Sequence, residues 1–223
     1  MKKNLREYII RLVILFAGLV VAHLGVTLFI LSELGNDPFN VLIQGLHNLT
    51  ASAGAVQFTH GMVHMAVSLL IIVFLLFVDR SYIKAGTVVC MFCGGPIIDF
   101  FTWLLSGLNI PGSSLPVRIA AMVAGCIILA FGMSVVIRSE AGTGPNDLVA
   151  VVISDKSGKR FGIVRIAVDF SFVFLGALAG GRFGAGTLVC AFLVGPVAEF
   201  AMPFSSAIVR AVLGMAGVRS RSE

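Results

Sequence analysis

Two charged residues, Arg165 and Asp169, lie within an otherwise apolar stretch. They are four residues apart, so on a helix they share one face and can form an ion pair. A guanidinium freed from that pair would suit the anionic group of a solute, because its planar donors match carboxylate and phosphate geometry. The sequence leaves both interpretations open: internal neutralisation, or anion binding by Arg165 with Asp169 as an ion-coupling acid.

A second set of polar residues lies at the start of two short apolar segments, 38–49 and 145–154. The candidate solute-binding residues there are Asn40, Asn146 and Asp147. At the positive end of a helix, such side chains bind a solute or an ion, or they satisfy the backbone of the turn itself. Both interpretations remain open for these three residues.

The segments themselves are predicted to be broken helices. Asp37 precedes Pro38 and Gly144 precedes Pro145, the order of a capping residue followed by proline at the first helical position. At about 1.5 Å per residue they reach roughly 18 Å and 15 Å, too short for a hydrocarbon core of about 30 Å. Broken helices at corresponding places in two halves point to a central binding site of a transporter.

Two further acids, Asp99 and Glu199, each follow a proline by three residues within apolar stretches. An acid inside a span is costly and faces a cavity or a partner by default, so we predict ion coupling at these positions. The alternative is that both carboxylates reach the membrane interface and are hydrated. His64 takes the place of Arg165 in the first half, and is a candidate solute contact or a packing residue.

Composition identifies the environment of these residues. The chain has 223 residues, of which 58% are hydrophobic and only 12% charged, with a net charge of +5. A soluble domain carries about 25% charged residues, so a soluble enzyme, a disordered chain and a nucleic-acid binder are excluded. The sequence shows no nucleophile elbow, phosphate-binding loop or metalloprotease motif, and we predict no enzymatic activity, cofactor or metal.

We predict an all-α, polytopic membrane protein made of two tandem repeats, each with three spans and one short helix that is re-entrant. The N-terminal repeat covers 1–110, with spans at about 8–31, 59–78 and 83–108. The C-terminal repeat covers 111–206, with spans at about 116–137, 161–178 and 183–204, and a cytoplasmic tail follows at 207–223.

The repeat is visible in the residues. Shifting 11–42 by 107 positions matches 9 of 32 residues, including glycines, a proline and a Ser-Glu pair. Shifting 85–100 by 100 positions matches 9 of 16, and GMVHMAV corresponds to GIVRIAV at a shift of 101. Apolar bias alone does not reproduce glycine, proline and serine in one register.

Charge predicts the topology. If the short segments do not cross, 14 of 16 Lys and Arg residues lie on one side, which positive-inside counting assigns to the cytoplasm. If they do cross, the division is 12 against 4 and the repeats are parallel. We favour the inverted arrangement with six crossings; both arrangements leave the two termini in the cytoplasm.

The run SEAGTGPNDLVAVVIS, the basic loop DKSGKRFG and the later GTLVCAFLVGPVAEF together resemble the YczE-like bacterial membrane proteins of the YczE/YyaS/YitT grouping. The likeness extends from Arg11 to about Phe204, and its most specific part is Gly142–Asp147. The corresponding run in the first half is GNDPFN. The resemblance implies a multi-pass protein of the bacterial plasma membrane, and it brings no substrate or catalytic residues.

These observations predict a transporter-like protein for a small solute, ion-coupled, with its site between the two short helices. The alternative is a non-transporting accessory or assembly component without a small-molecule site, which would use the basic loop 156–160 and the tail as docking surfaces. The expected partners are the lipid bilayer and an unknown solute, with no nucleic acid. Association into a homo-oligomer is left open.

Overall fold

The computed structural model describes residues 5–52 and 60–216, and within these ranges the regular structure is helical. The α-helices are α1 (Leu5–Leu31), α2 (Pro38–Ser52), α3 (His60–Val78), α4 (Ala85–Leu105), α5 (Leu115–Arg138), α6 (Pro145–Ser157), α7 (Phe161–Leu178) and α8 (Ala185–Met215). Short 3-10 turns at Arg80–Tyr82 and Ser106–Leu108 flank α4.

Six of these helices are long and apolar enough to cross a membrane, namely α1, α3, α4, α5, α7 and α8. The prediction of an all-α protein with six apolar spans is therefore confirmed. The other two helices begin at Pro38 and Pro145, where the capping residue and proline predicted them to begin. Proline is tolerated there because a helix has no internal acceptor for its first N–H groups.

The centre of the fold is the antiparallel pair α1 and α5. A Cβ built on Gly25 would lie 2.3 Å from the backbone nitrogen of Leu129, and one on Gly125 would lie 2.7 Å from the carbonyl oxygen of Gly25. Only glycine permits backbones this close. In an apolar solvent such close packing, rather than hydrophobic burial, holds helices together.

The remaining helices pack around this pair in a crossed arrangement. α4 packs on α1 and α8 packs on α5, while both short helices lie between α3 and α7: α2 packs mainly against α7, and α6 packs against both. The largest apolar core includes Phe29, Ile43, Val168 and Val194, from four different helices. The two short helices are thus held between longer ones, with their N-termini inside the protein.

The structure differs from the sequence prediction at the end of the chain. The last span was predicted to end at Phe204, but α8 continues through Pro203 as far as Met215. Val209 and Leu213 on this extension are buried against Ile14 and Val135, so the extra turns belong to the helical core. The last part of the predicted tail, 217–223, lies outside the described residues.

Candidate functional site

Each short helix is preceded by a tight turn that is anchored to the start of a distant span. Gly35 and Gly142 have φ values of 154° and 134°, a conformation that L side chains rarely adopt. The carbonyl oxygen of Leu34, beside the first glycine, accepts a hydrogen bond from the backbone N–H of Gly186 at 2.9 Å. The corresponding bond joins Gly86 N–H to Ala141 at 3.0 Å, so each turn is fixed by one strong backbone contact.

Behind the second turn, three charged side chains meet. Arg165 of α7 donates from Nη1 to Oδ1 of Asp147 at 2.6 Å, and from Nε to Oδ2 of Asp169 at 2.9 Å. The exposed fractions of these side chains are 8% for Arg165, 21% for Asp147 and 1% for Asp169. The predicted ion pair four residues apart is present, and the first turn of α6 supplies a second carboxylate.

This cluster has more acceptor capacity than its guanidinium uses. Oδ1 of Asp169 is buried without a hydrogen-bond partner among the described residues. Two carboxylates share one cation, so the cluster carries an excess negative charge when both are ionised. Unpaired charge inside a membrane is costly, and a proton or a cation on the cluster would remove that cost.

Asn146 lies beside this cluster, whereas Asn40 lies at the start of the other short helix, where it contacts Asp37. Asn146 donates from its side-chain amide to Oδ1 of Asp147 at 3.0 Å, which holds the carboxylate towards Arg165. At the start of α2, the backbone N–H of Asn40 donates to Oδ1 of Asp37 at 3.2 Å, and its side-chain amide donates to Oδ2 of the same residue. Asp37 therefore caps α2 in the manner expected of an acid at that position.

His64 lies near the start of α2, on the side of the first half. Its ring meets Phe39 edge-to-face with the ring centroids 5.3 Å apart, and Phe39 in turn contacts Phe172 at 5.4 Å. The aromatic group joins α2, α3 and α7. The ring of His64 thus lies between α3 and α2 through its contact with Phe39.

His23 of α1 is a central residue that the sequence analysis did not select. Its Nδ1–H donates to the carbonyl oxygen of Leu19 at 2.8 Å, which leaves Nε2 as the basic nitrogen of a neutral ring. A Cβ on Gly94 would lie 2.7 Å from Nε2, so the absence of a side chain on α4 makes room for the imidazole. The ring is within electrostatic range of both Asp37 and Asp147, which begin the two short helices.

The polar atoms around the two turns are not used equally. Near α2, the hydroxyl of Thr187 donates to the carbonyl oxygen of Asn36 at 2.6 Å. Near α6, the hydroxyls of Thr87 and Thr143 are buried and have no hydrogen-bond partner among the described residues. Spare donors therefore gather at the start of α6, the same end that carries Asp147.

The predicted coupling acids Asp99 and Glu199 lie away from this cluster. Asp99 is exposed on α4, beside the exposed Phe100. Glu199 accepts a hydrogen bond at Oε2 from the backbone N–H of Gly162 at 2.7 Å and at Oε1 from Nε of Arg160 at 2.8 Å. It thereby satisfies one of the free N–H groups at the start of α7.

The sequence contained a signal for some of the residues that were missed. His23 is a titratable residue inside an apolar span, which is a reason for selection by itself, but Ala130 stands at the matching place 107 residues later. Thr87 and Thr143 carried no such signal, because buried threonines are common in helix contacts.

The family comparison agrees with the fold. The family described as "Family of unknown function (DUF6198)" matches residues 9–203. The uncharacterized membrane protein YczE of Bacillus subtilis (strain 168) is 28% identical over 201 residues, which cover 90% of this chain and 89% of that protein. No solved structure matches the chain.

Two further relatives support the same assignment. An uncharacterized protein of Haemophilus influenzae is 27% identical over 188 residues, or 84% of this chain and 81% of the relative. The uncharacterized protein YyaS of Bacillus subtilis is 24% identical over 186 residues, or 83% and 89%. The resemblance predicted from the sequence is confirmed, and the chain, a multi-span membrane protein, belongs to the DUF6198 family.

Proposed function

We propose that this protein transports a small solute with an anionic group, coupled to protons, through one central site at the start of α6. The observation that carries the proposal is the position of Arg165. Its guanidinium is almost fully buried in a candidate span and is shared by Asp147 of a short helix and Asp169 of its own helix. Intramembrane ionisable groups between broken helices are typical of transport sites.

The coupling follows from competition for one guanidinium. With both acids ionised, Asp147 occupies Nη1 of Arg165 and excludes another anion. A proton on Asp147 neutralises that competitor and releases Nη1 for the anionic group of a solute. The positive end of α6 and the spare hydroxyls of Thr87 and Thr143 add favourable interactions at the same place. Proton and anion then strengthen each other's binding by linkage.

The same geometry supports a choice among the candidate acids for the coupling role. Asp169 has a buried oxygen without a partner, so it can accept a proton without losing a hydrogen bond. Glu199 is engaged at both oxygens by the start of α7, and Asp99 is exposed on α4. We therefore propose proton coupling at Asp147 and Asp169.

The proposal includes two inverted repeats, α1–α4 and α5–α8, in a bacterial plasma membrane with both termini in the cytoplasm. Support comes from the matched backbone bonds of Gly186 with Leu34 and of Gly86 with Ala141, whose residues correspond at shifts of 100 and 107. Each short helix packs against both α3 and α7, which occupy corresponding places in the two halves, as a two-fold relation between halves would produce. The antiparallel packing of α1 and α5 favours inversion.

Ligand-dependent thermal stability tests the site directly. The purified protein is melted with a panel of carboxylates and phosphates at mildly acidic and mildly alkaline pH. We expect at least one anion to raise the melting temperature, and to do so more at acidic pH. Asp147→Asn mimics the protonated acid and should reduce the dependence of the effect on pH, while Arg165→Lys keeps the charge but loses the planar fork and should weaken it.

The matched control is Asp99→Asn, which removes an exposed acid from another span and should behave as the unmodified protein. Proteoliposomes with an imposed pH gradient then test whether the stabilising anion is accumulated. Stabilisation by no member of the panel, or equal stabilisation of the Arg165→Lys protein, would contradict the assigned site.

A further inference from the structure

The two contacts between a short helix and its partner span differ in how closely they pack. In the contact of α2 with α7, a Cβ on Gly45 would lie 2.3 Å from the carbonyl oxygen of Gly176. A Cβ on Gly181 would lie 2.3 Å from the carbonyl oxygen of Val41. The backbones touch, so this contact leaves no room between the helices.

The contact of α6 with α3 is kept open by side chains at the corresponding positions. Val152 corresponds to Gly45 at the shift of 107, and Leu75 corresponds to Gly176 at the shift of 101. Both are buried and pack together with Leu148, so their side chains separate the two backbones.

The separation leaves a groove of about 570 Å³ between α3 and α6. Its walls include Ile71 and Phe74 of α3 and Val149 and Ile153 of α6, and the groove opens to the outside. In a protein whose long helices are suited to spanning a bilayer, the surroundings of these walls are lipid chains. An apolar groove of this kind fits an acyl chain.

One end of the groove is polar. Lys156 and Ser157, at the last turn of α6, supply its polar lining among the described residues. Nζ of Lys156 lies 3.4 Å from Oδ2 of Asp79, and the side chain of Lys156 is 46% exposed. Such an exposed pair is weak and leaves the ammonium available to a second anion.

The surrounding charges favour an anion at this end. Asp79 and Asp155 are the neighbouring acids, and Asp155 also interacts with Tyr82. The bases near these acids in the sequence are more numerous, namely Arg80, Lys84, Lys156, Lys159 and Arg160; of these, Arg160 pairs with Glu199 and Lys84 donates to the carbonyl oxygen of Glu140. Positive-inside counting assigns this end to the cytoplasmic leaflet, whose surface carries anionic lipid.

We propose that the groove between α3 and α6 is a binding site for one anionic phospholipid, with an acyl chain along the groove and the phosphate on Lys156 and Ser157. The site is separate from the cluster around Arg165 and does not depend on the protein being a transporter. Its position beside α6 means that the lipid would support the helix that carries Asp147.

Native mass spectrometry of the full chain in a mild detergent tests the proposal. Phosphatidylglycerol and phosphatidylethanolamine are titrated in parallel, and the fraction of protein with one bound lipid is recorded. We expect preference for phosphatidylglycerol and about five-fold weaker binding in Lys156→Gln, since one basic residue near a membrane contributes about 1 kcal/mol. Val149→Trp should fill the groove and abolish the preference.

The chain offers a matched control for each variant. Lys159→Gln removes a nearby base that does not line the groove and should leave binding unchanged. Val20→Trp fills a smaller groove of about 330 Å³ between α1 and α4, which is lined by apolar residues alone, and should also leave it unchanged. Equal binding of both lipids, or equal losses in Lys156→Gln and Lys159→Gln, would overturn the proposal. A dimer crosslinked through Ile153→Cys without bound lipid would overturn it as well.

Discussion

Arg118 donates a hydrogen bond from Nε to the carbonyl oxygen of Ser32, with 2.7 Å between the two atoms. Ser32 directly follows the last residue of α1, and Arg118 lies in the first turn of α5. The same relation occurs at the opposite end of the pair, where Nη1 of Arg11 lies 3.1 Å from the carbonyl oxygen of Ser139. Each central helix therefore carries an arginine that satisfies the free carbonyls ending the other.

Removing Arg11 should destabilise the fold. Its side chain is 9% exposed and also pairs with Glu7 and Glu140, so Arg11→Gln leaves a buried carbonyl and two acids without their cation. We expect a loss of about 2 kcal/mol in the free energy of unfolding. Arg118→Gln should cost less, because that side chain is 24% exposed and nearer to water.

Denaturant unfolding in detergent measures both losses, with Arg6→Gln, an exposed residue on the same helix, as the control. If Arg6→Gln lowered the free energy of unfolding as much as Arg11→Gln, the positive charge at the start of α1 would be responsible, and the hydrogen bond of Arg11 to Ser139 would not.

The close approach of α1 and α5 makes a second prediction. In Gly25→Ala the added Cβ would meet the backbone nitrogen of Leu129 at 2.3 Å, and a backbone cannot move aside as a side chain can. We expect destabilisation of about 2 kcal/mol, the usual cost of overpacking. Gly95→Ala is the matched control, because nothing lies within 4 Å of its added Cβ. Alanine favours helix there, so thermal unfolding of Gly95→Ala should be unchanged or slightly later.

Local chemistry was enough to predict the positions of the short helices. Pro38 and Pro145 begin α2 and α6 because proline lacks an N–H group and the preceding residue caps the helix. The pair of Arg165 with Asp169 also followed from spacing alone, since residues four apart share a helix face. These features depend on neighbours in the sequence.

Contacts between distant helices could not be predicted in this way. Nothing in the sequence around Asp147 says that it reaches Arg165, because that contact depends on how α6 packs against α7. The extension of α8 was missed for the same reason. Arg210 suggested a surface tail, while the burial of Val209 and Leu213 depends on α1 and α5.

Asp79 makes a pH-dependent contribution at the loop before α4. Its Oδ1 accepts the backbone N–H of Ser81 at 2.9 Å and caps the turn Arg80–Tyr82. That bond, then the Ser81 hydroxyl and Lys156, lower the pKa of Asp79 below its ordinary value. A lowered pKa means that the stabilisation is present at neutral pH and is lost as the pH falls through the folded-state pKa.

Hydrogen exchange at the Ser81 amide measures this cap. Asp79→Ala should speed exchange at neutral pH after correction for the intrinsic rate, and the difference from the unmodified protein should vanish in acid. Lys156→Gln should reproduce only a small part of the effect. A difference that persists unchanged at acidic pH would mean that the carboxylate charge is not responsible.

Variants of Glu199 and Asp99 test whether Glu199 serves to cap helix α7 or to couple transport to protons. Glu199→Ala removes the acceptor of the Gly162 N–H group and should lower the free energy of unfolding by about 1 kcal/mol. Asp99→Ala removes an exposed acid at the corresponding place and should change it by less than about 0.5 kcal/mol. Denaturant unfolding of both variants provides the comparison. Unchanged stability in Glu199→Ala together with lost pH-dependent transport would assign coupling to Glu199.

Reporter fusions decide whether the two halves are inverted. With six crossings, α2 returns to the side on which α1 ends, so a fusion after Thr50 should read periplasmic, as should one after Ser113. With eight crossings both should read cytoplasmic. A fusion after Lys159 is the internal control, because both topologies place it in the cytoplasm.

Paired alkaline phosphatase and green fluorescent protein reporters give opposite signals at each point. Periplasmic readings at Thr50 and Ser113 would show that α1 and α5 are oppositely oriented spans. A cytoplasmic reading at these two points would instead require α2 to cross the membrane, and the start of α6 could then not form a re-entrant site.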